Sequence, residues 1–185
     1  MAAFVRPGER IALKPNLLMP TGPERAVVTH PAVVAAVALA VKEAGADTVV
    51  ASCPACDMMW RQVYPEWAKR LKIDYGIEAK HYSEVIAEKI KAGEFVFPKN
   101  NGQPVTVTWH DSCHMGRVSH IYEEPRAVIR AIPGVNYVDM PYNRDEAHCC
   151  GSVLTLIKEP PVAAVVGKHR LDEAIEVGAQ KVLAA

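Results

Sequence analysis

Net charge is missing from this sequence: 21 Lys and Arg stand against 21 Asp and Glu in 185 residues. No electrostatic field therefore draws the chain to nucleic acid or to an anionic membrane surface. Long apolar runs are missing too. The longest, "PAVVAAVALAV", covers 11 residues, where a membrane-spanning helix needs roughly 20. The N-terminus carries Glu9, Arg10 and Lys14 in place of a signal peptide's apolar core and cleavage site, so a cytoplasmic protein without membrane insertion is expected. "GxGxxG", "GxxxxGKS" and "HExxH" are all absent, which removes the motif support for nucleotide binding or zinc-protease chemistry.

Sulfur is sparse but patterned. The five cysteines are Cys53, Cys56, Cys113, Cys149 and Cys150. An odd number without a secretion signal argues against a disulfide framework and for metal or redox chemistry. Neighbouring Cys149 and Cys150 would close only a strained eight-membered ring, so two thiolates are the better reading. Half of the residues are apolar, enough for the core of one ordinary domain or two small ones.

The periodicity alternates strand and helix. "RIALKPN" and "DTVVAS" read as strands separated by a helix over residues 29–45, with Thr29 as its cap and Gly45 as its stop. A helix from "CPAC" onward is expected to bend or break at Pro65. Residues 81–93 read as a helix, "VTVTWHDSC" as a strand, "EEPRAVIRAIPG" as a helix and "VNYVDMP" as a strand. The loop "YNRDEAHCCGS" leads into helical sequence interrupted at Pro160 and Pro161, and "KVLAA" reads as a last strand. Such alternation implies an α/β fold, with layered βαβ units around a mainly parallel sheet. The cysteines fall just beyond strand-like runs or before helix starts. The carboxyl edge of a parallel sheet, where ligands collect, would then gather them on one rim.

Two spacings sharpen this. "AGADTVVAS" at residues 44–52 and "VGAQKVLAA" at residues 177–185 read as copies, and "CPAC" follows the first. Cys113 and Cys149 are separated by 35 residues, and another 35 follow Cys150. With "HDSCHMGR", "EEPRAVIRAIPGVNYVDM" and "HCCGS", residues 46–185 resemble the cysteine-rich CCG domain of heterodisulfide reductase B-type and related iron–sulfur oxidoreductase subunits. That resemblance implies an electron-transfer module in which Cys113, Cys149 and Cys150, with the CxxC of Cys53 and Cys56, ligate a non-cubane 4Fe-4S cluster. Partner subunits of a redox complex, flavoprotein or ferredoxin-type, are implied with it. The family's closing CxxC would fall just after Ala185, so a module over residues 47–185, truncated at its C-terminus, is the expectation. "ALKPNLL", "GPERAVVTHPAVVAAV" and "EAGAD" make residues 1–46 resemble an uncharacterised domain family associated with ferredoxin modules.

Other readings of the same residues stay open. Zinc on four of the five thiols would give a structural site in a non-catalytic interaction domain. Cys53 and Cys56 follow a strand as a thioredoxin-like redox pair does. The thiols could also be inert in a metal-free domain or an inactive fragment. His110, His114 and His148 crowd the cysteines as ligands, proton carriers or plain hydrogen-bonding residues. Arg117 and Arg144 are placed to offset thiolate charge or to face solvent. Trp60, Trp67, Met58 and Met59 fit core packing, and Lys14 fits solvent exposure.

Overall fold

A computed structural model describes residues 45, 47–72, 74–100, 102–156 and 160–185. The first expected strand, the helix over residues 29–45 apart from its terminal Gly45, and Lys14 lie outside the described residues. The chain divides into two compact units, Met1–Tyr82 and Ser83–Ala185.

In the first unit β1 (Thr48–Ala51) pairs in parallel with β2 (Glu78–His81), Thr48 opposite Glu78 and Ala51 opposite His81. The alternation of β1 puts Val49 and Ala51 inside, and Val49, Trp60 and Ala79 form the core, with Tyr64, Tyr75 and Ile77 packed against it. The crossover is α1 (Pro54–Met58), a π-helical turn (Met59–Val63) and α2 (Tyr64–Leu71). That turn is the chain's answer to Pro65. A proline ring collides with the carbonyl four residues back and lacks an N–H. Here the Tyr64 N–H reaches back five residues to the Met59 carbonyl, so the wider turn carries the helix through. Trp60 is core as expected. Trp67 is not: it is 53% exposed, on a face shared with Glu66 and Arg70, and the Arg70 guanidinium lies 5.3 Å from its ring centre. The guanidinium and the exposed polar neighbours give that indole an amphipathic surface site.

The second unit opens with α3 (Tyr82–Lys91), whose first residue closes the first unit, and is built on a three-stranded parallel sheet. Central β3 (Val105–Trp109) is flanked by β4 (Val135–Tyr137) and β5 (Lys181–Leu183). The register sets Val105 opposite Val135 and Val107 opposite Lys181. After β3 come a π-helical turn (His114–Val118) and α4 (Glu123–Arg130). After β4 come a 3-10 turn (Arg144–Glu146), α5 (Ser152–Leu156) and α6 (Pro160–Glu176). Val107, Trp109, Met115, Ile121 and Ile129 make its core. Pro160 opens α6, where the missing N–H costs no helical hydrogen bond.

The parallel α/β expectation therefore holds, but the strands fall into two sheets. The two copies of the repeated stretch are alike locally: each passes through a left-handed glycine, Gly45 at φ 84 and Gly178 at φ 71, into a strand. They do not pair with each other. β1 pairs with β2 and β5 with β3, so among the described residues the two copies belong to different sheets.

Candidate functional site

Each unit carries its own thiols, and all five are free. In the first unit, half-buried Cys53 caps α1 and accepts the Asp57 N–H at 2.9 Å through its carbonyl, while Cys56 is buried. Asp57, wholly buried, takes the Arg61 Nε at 2.8 and 2.9 Å on its two oxygens. His81, buried at the end of β2, is pushed down to a pKa of about 4, chiefly by burial, with Arg61 adding to the fall and Asp57 opposing it.

In the second unit Cys113 is half-buried and opens the π-helical turn, and Cys149 and Cys150 are exposed. Although 35 residues apart, the two stretches are tied together. The Arg117 Nη1 donates to the carbonyls of Asp145 at 3.1 Å and Ala147 at 2.9 Å. Tyr122 hydrogen-bonds the Asp145 carboxylate. Asp111, two residues before Cys113, takes the Arg126 guanidinium at 2.8 and 2.7 Å, and accepts the Arg144 backbone N–H at 2.7 Å. Arg126 also donates to Asp139 at 3.0 Å and to the Tyr122 carbonyl at 2.6 Å. Burial alone would raise the Asp139 carboxyl, but hydrogen bonds from Tyr137 and Arg126, with the charges of Arg126 and Arg144, hold it below its ordinary value.

The thiol pair has further support. Cys149 Sγ accepts the Gly151 N–H at 3.3 Å. Gly151 has φ +82, and a Cβ there would meet the Ala163 carbonyl oxygen at 2.5 Å. Only glycine fits both conditions. Beside the pair an open cavity of about 290 Å³ is lined by Cys150, Gly151, Thr155 and Ala163 among others. Donor chemistry fits a soft metal group, because free thiolates favour iron–sulfur clusters or zinc, and the N–H···S bond stabilises charge on sulfur. Among the described residues, no three His, Cys, Asp or Glu side chains converge on one point able to hold a metal ion.

The family model for the Cysteine-rich domain matches residues 107–185, and that for the Domain of unknown function (DUF362) matches residues 11–114. The chain belongs to the DUF362 family and carries a cysteine-rich domain of the CCG type. Among curated relatives, the D-type subunit of a dihydromethanophenazine:CoB–CoM heterodisulfide reductase from Methanosarcina barkeri is 30% identical over 76% of this chain and 33% of its own length. A probable iron-sulfur-binding oxidoreductase, FadF, of Bacillus subtilis is 40% identical over 43% of this chain and 11% of its own. The B-type subunit of a fumarate reductase (CoM/CoB) from Methanothermobacter marburgensis is 30% identical over 69% of this chain and 24% of its own. The chain thus spans about a third of the first of these. No solved structure matches.

Within the cysteine-rich domain His110 and His148 make side-chain hydrogen bonds. Buried His110 accepts the Arg170 Nε on its Nδ1 at 3.0 Å, and burial together with the Arg170 charge lowers its pKa. His148 meets the Glu173 carboxylate through Nδ1 at 2.5 Å. His114 stands half-buried in the π-helical turn. Arg117 spends its guanidinium on loop carbonyls, and Arg144 pairs with Glu123 at 2.7 Å. Sequence reasoning missed Asp111, Arg126, Arg170 and Glu173. A signal existed for the last two, a charged pair at i, i+3 on a helix face otherwise lined by Ala163 and Ala174.

Proposed function

We propose that this chain is an iron–sulfur electron-transfer module of an oxidoreductase complex, with Cys113, Cys149 and Cys150 as cluster ligands in the cysteine-rich domain. Cys53 and Cys56 are assigned as a ligand pair in the unit that carries them. The observation that supports this best is the frame built by Arg117, Asp111 and Arg126, which ties the turn opened by Cys113 to the loop that ends in Cys149 and Cys150. A bound cluster supplies one-electron storage; the chain's residues hold the sulfurs, donate the Gly151 N–H to one of them and bury the surrounding charges. The non-cubane 4Fe-4S type, a flavoprotein or ferredoxin-type partner subunit and a cytoplasmic setting, where five free thiols persist, belong to the same proposal.

The test is anaerobic reconstitution with iron and sulfide, followed by metal and sulfide analysis and by visible and electron paramagnetic resonance spectra. Wild-type protein should retain both elements and show broad charge-transfer absorption. Cys113→Ser, Cys149→Ser and Cys150→Ser should each lose most of that absorption. Wild-type protein that keeps no iron, or that takes only zinc on the same thiols, overturns the proposal.

A further inference from the structure

Helix α6 carries a charged pair where its inner face should be apolar. Arg170 is 3% exposed and Glu173 7% exposed, on the face that also buries Ala163 and Ala174. Desolvating two charges is costly, and a well-packed apolar pair serves stability as well or better. The reason for this pair lies in what it touches. The Arg170 Nη1 donates to the Tyr142 carbonyl at 2.6 Å and to Glu173, while its Nε holds His110 at the end of β3. The remaining Glu173 oxygen meets His148 Nδ1, and the His148 ring stacks on Tyr142 with centres 4.2 Å apart. Tyr142 and His148 are thus the two ends of one loop, and the residue after it is Cys149.

We propose that Arg170 and Glu173 are positioning residues for the Cys149–Cys150 thiols. Through Tyr142 and His148 they fix both ends of the preceding loop, and so the direction in which two exposed sulfurs leave the chain. This deepens the reading of those sulfurs as cluster ligands and rests on it. Residues 147–150 belong to no helix or strand, and the His148 side chain is 49% exposed. The Glu173 carboxylate and the Tyr142 ring anchor it. Without the carboxylate the segment samples more directions, and ligands held loosely by their supporting residues bind metal less well.

The experiment compares Glu173→Ala, Glu173→Gln and His148→Ala with wild type. In metal-free protein, alkylation rates of individual cysteines are followed by mass spectrometry. In reconstituted protein, iron content and the paramagnetic spectrum are recorded, with the unfolding temperature measured throughout. Glu173→Ala should speed alkylation of Cys149 and Cys150 about threefold or more relative to Cys113, and should halve the iron retained or lower it further. Glu173→Gln keeps an acceptor for His148 and should restore most of both. His148→Ala removes an exposed side chain; it should reproduce the loss and the altered spectrum at the wild-type unfolding temperature. Unchanged alkylation and iron in Glu173→Ala and His148→Ala overturn the proposal. So does acceleration of all three thiols alongside a lower unfolding temperature, which means a role in folding alone. If wild type takes up no iron, the cluster reading fails, and the alkylation rates still decide whether the pair positions the thiols.

Discussion

Asp111 meets three donors with two oxygens: both terminal nitrogens of Arg126 and the Arg144 backbone N–H. Both side chains of this ion pair are fully buried, and either one left alone is an uncompensated charge. Arg126→Met should therefore cost about 3–5 kcal/mol of stability in chemical denaturation. Asp111→Leu with Arg126→Met should cost less than the sum of the two single changes. Gly151→Ala adds left-handed strain to a collision with the Ala163 carbonyl, and about 2 kcal/mol or more should be lost, read from the urea midpoint. At this scale the cysteines stood out in the sequence, because their residue type and spacing single them out as candidate ligands. Asp111 was not. Its neighbour "HDSC" looks like any polar loop, and its worth depends on an arginine 15 residues away that only the folded chain delivers.

Elements were legible where apolar periodicity was strong, as in β1, β3 and α4; α6, whose apolar residues fall on several faces, was marked by its opening prolines. β2 was missed because "EAKH" offers a single apolar residue, Ala79, and is a strand only because β1 supplies its partner. The π-helical turns were missed for a different reason. Such a turn is a shift of hydrogen-bond register that leaves no mark in hydrophobic pattern. The second of them, His114–Val118, places Arg117 under the carbonyls of Asp145 and Ala147. Arg117→Ala should free that loop while leaving β3 intact. Amide exchange in residues 143–150 should rise by about tenfold or more, with strand amides unchanged.

For the whole molecule, the alternation of strand and helix marked the parallel α/β class, while each pairing was settled by a partner strand that the sequence does not name. "DTVVAS" and "KVLAA" share a local code, yet one takes β2 as its neighbour and the other β3. Stability should also depend on pH. His81 and His110 have folded pKa values below their ordinary one, so the unfolded chain binds protons first as pH falls through about 6.5. Stability is complete above that value and declines toward about pH 4. The lowered Asp139 carboxyl adds a further loss only below its unfolded value, near pH 3.9. Urea midpoints should hold level between about pH 7.5 and 6.5 and fall from there to about 4.5, and His81→Gln should flatten the slope. A midpoint independent of pH over that range would show that the imidazoles do not stay neutral in the folded chain. Among the described residues no helix is long and apolar enough to cross a membrane.

The Gly151 peptide that faces the Cys149 sulfur has a consequence for tuning. Were that sulfur to hold a cluster as proposed, the peptide hydrogen would draw electron density from it, making the sulfur a poorer donor and the bound group easier to reduce. Among side-chain exchanges only proline removes a main-chain hydrogen, and its ring fixes φ near about −65°, whereas Gly151 sits at φ +82. The adjustment is built into the backbone, and replacing that amide by an ester would switch it off with the left-handed turn kept.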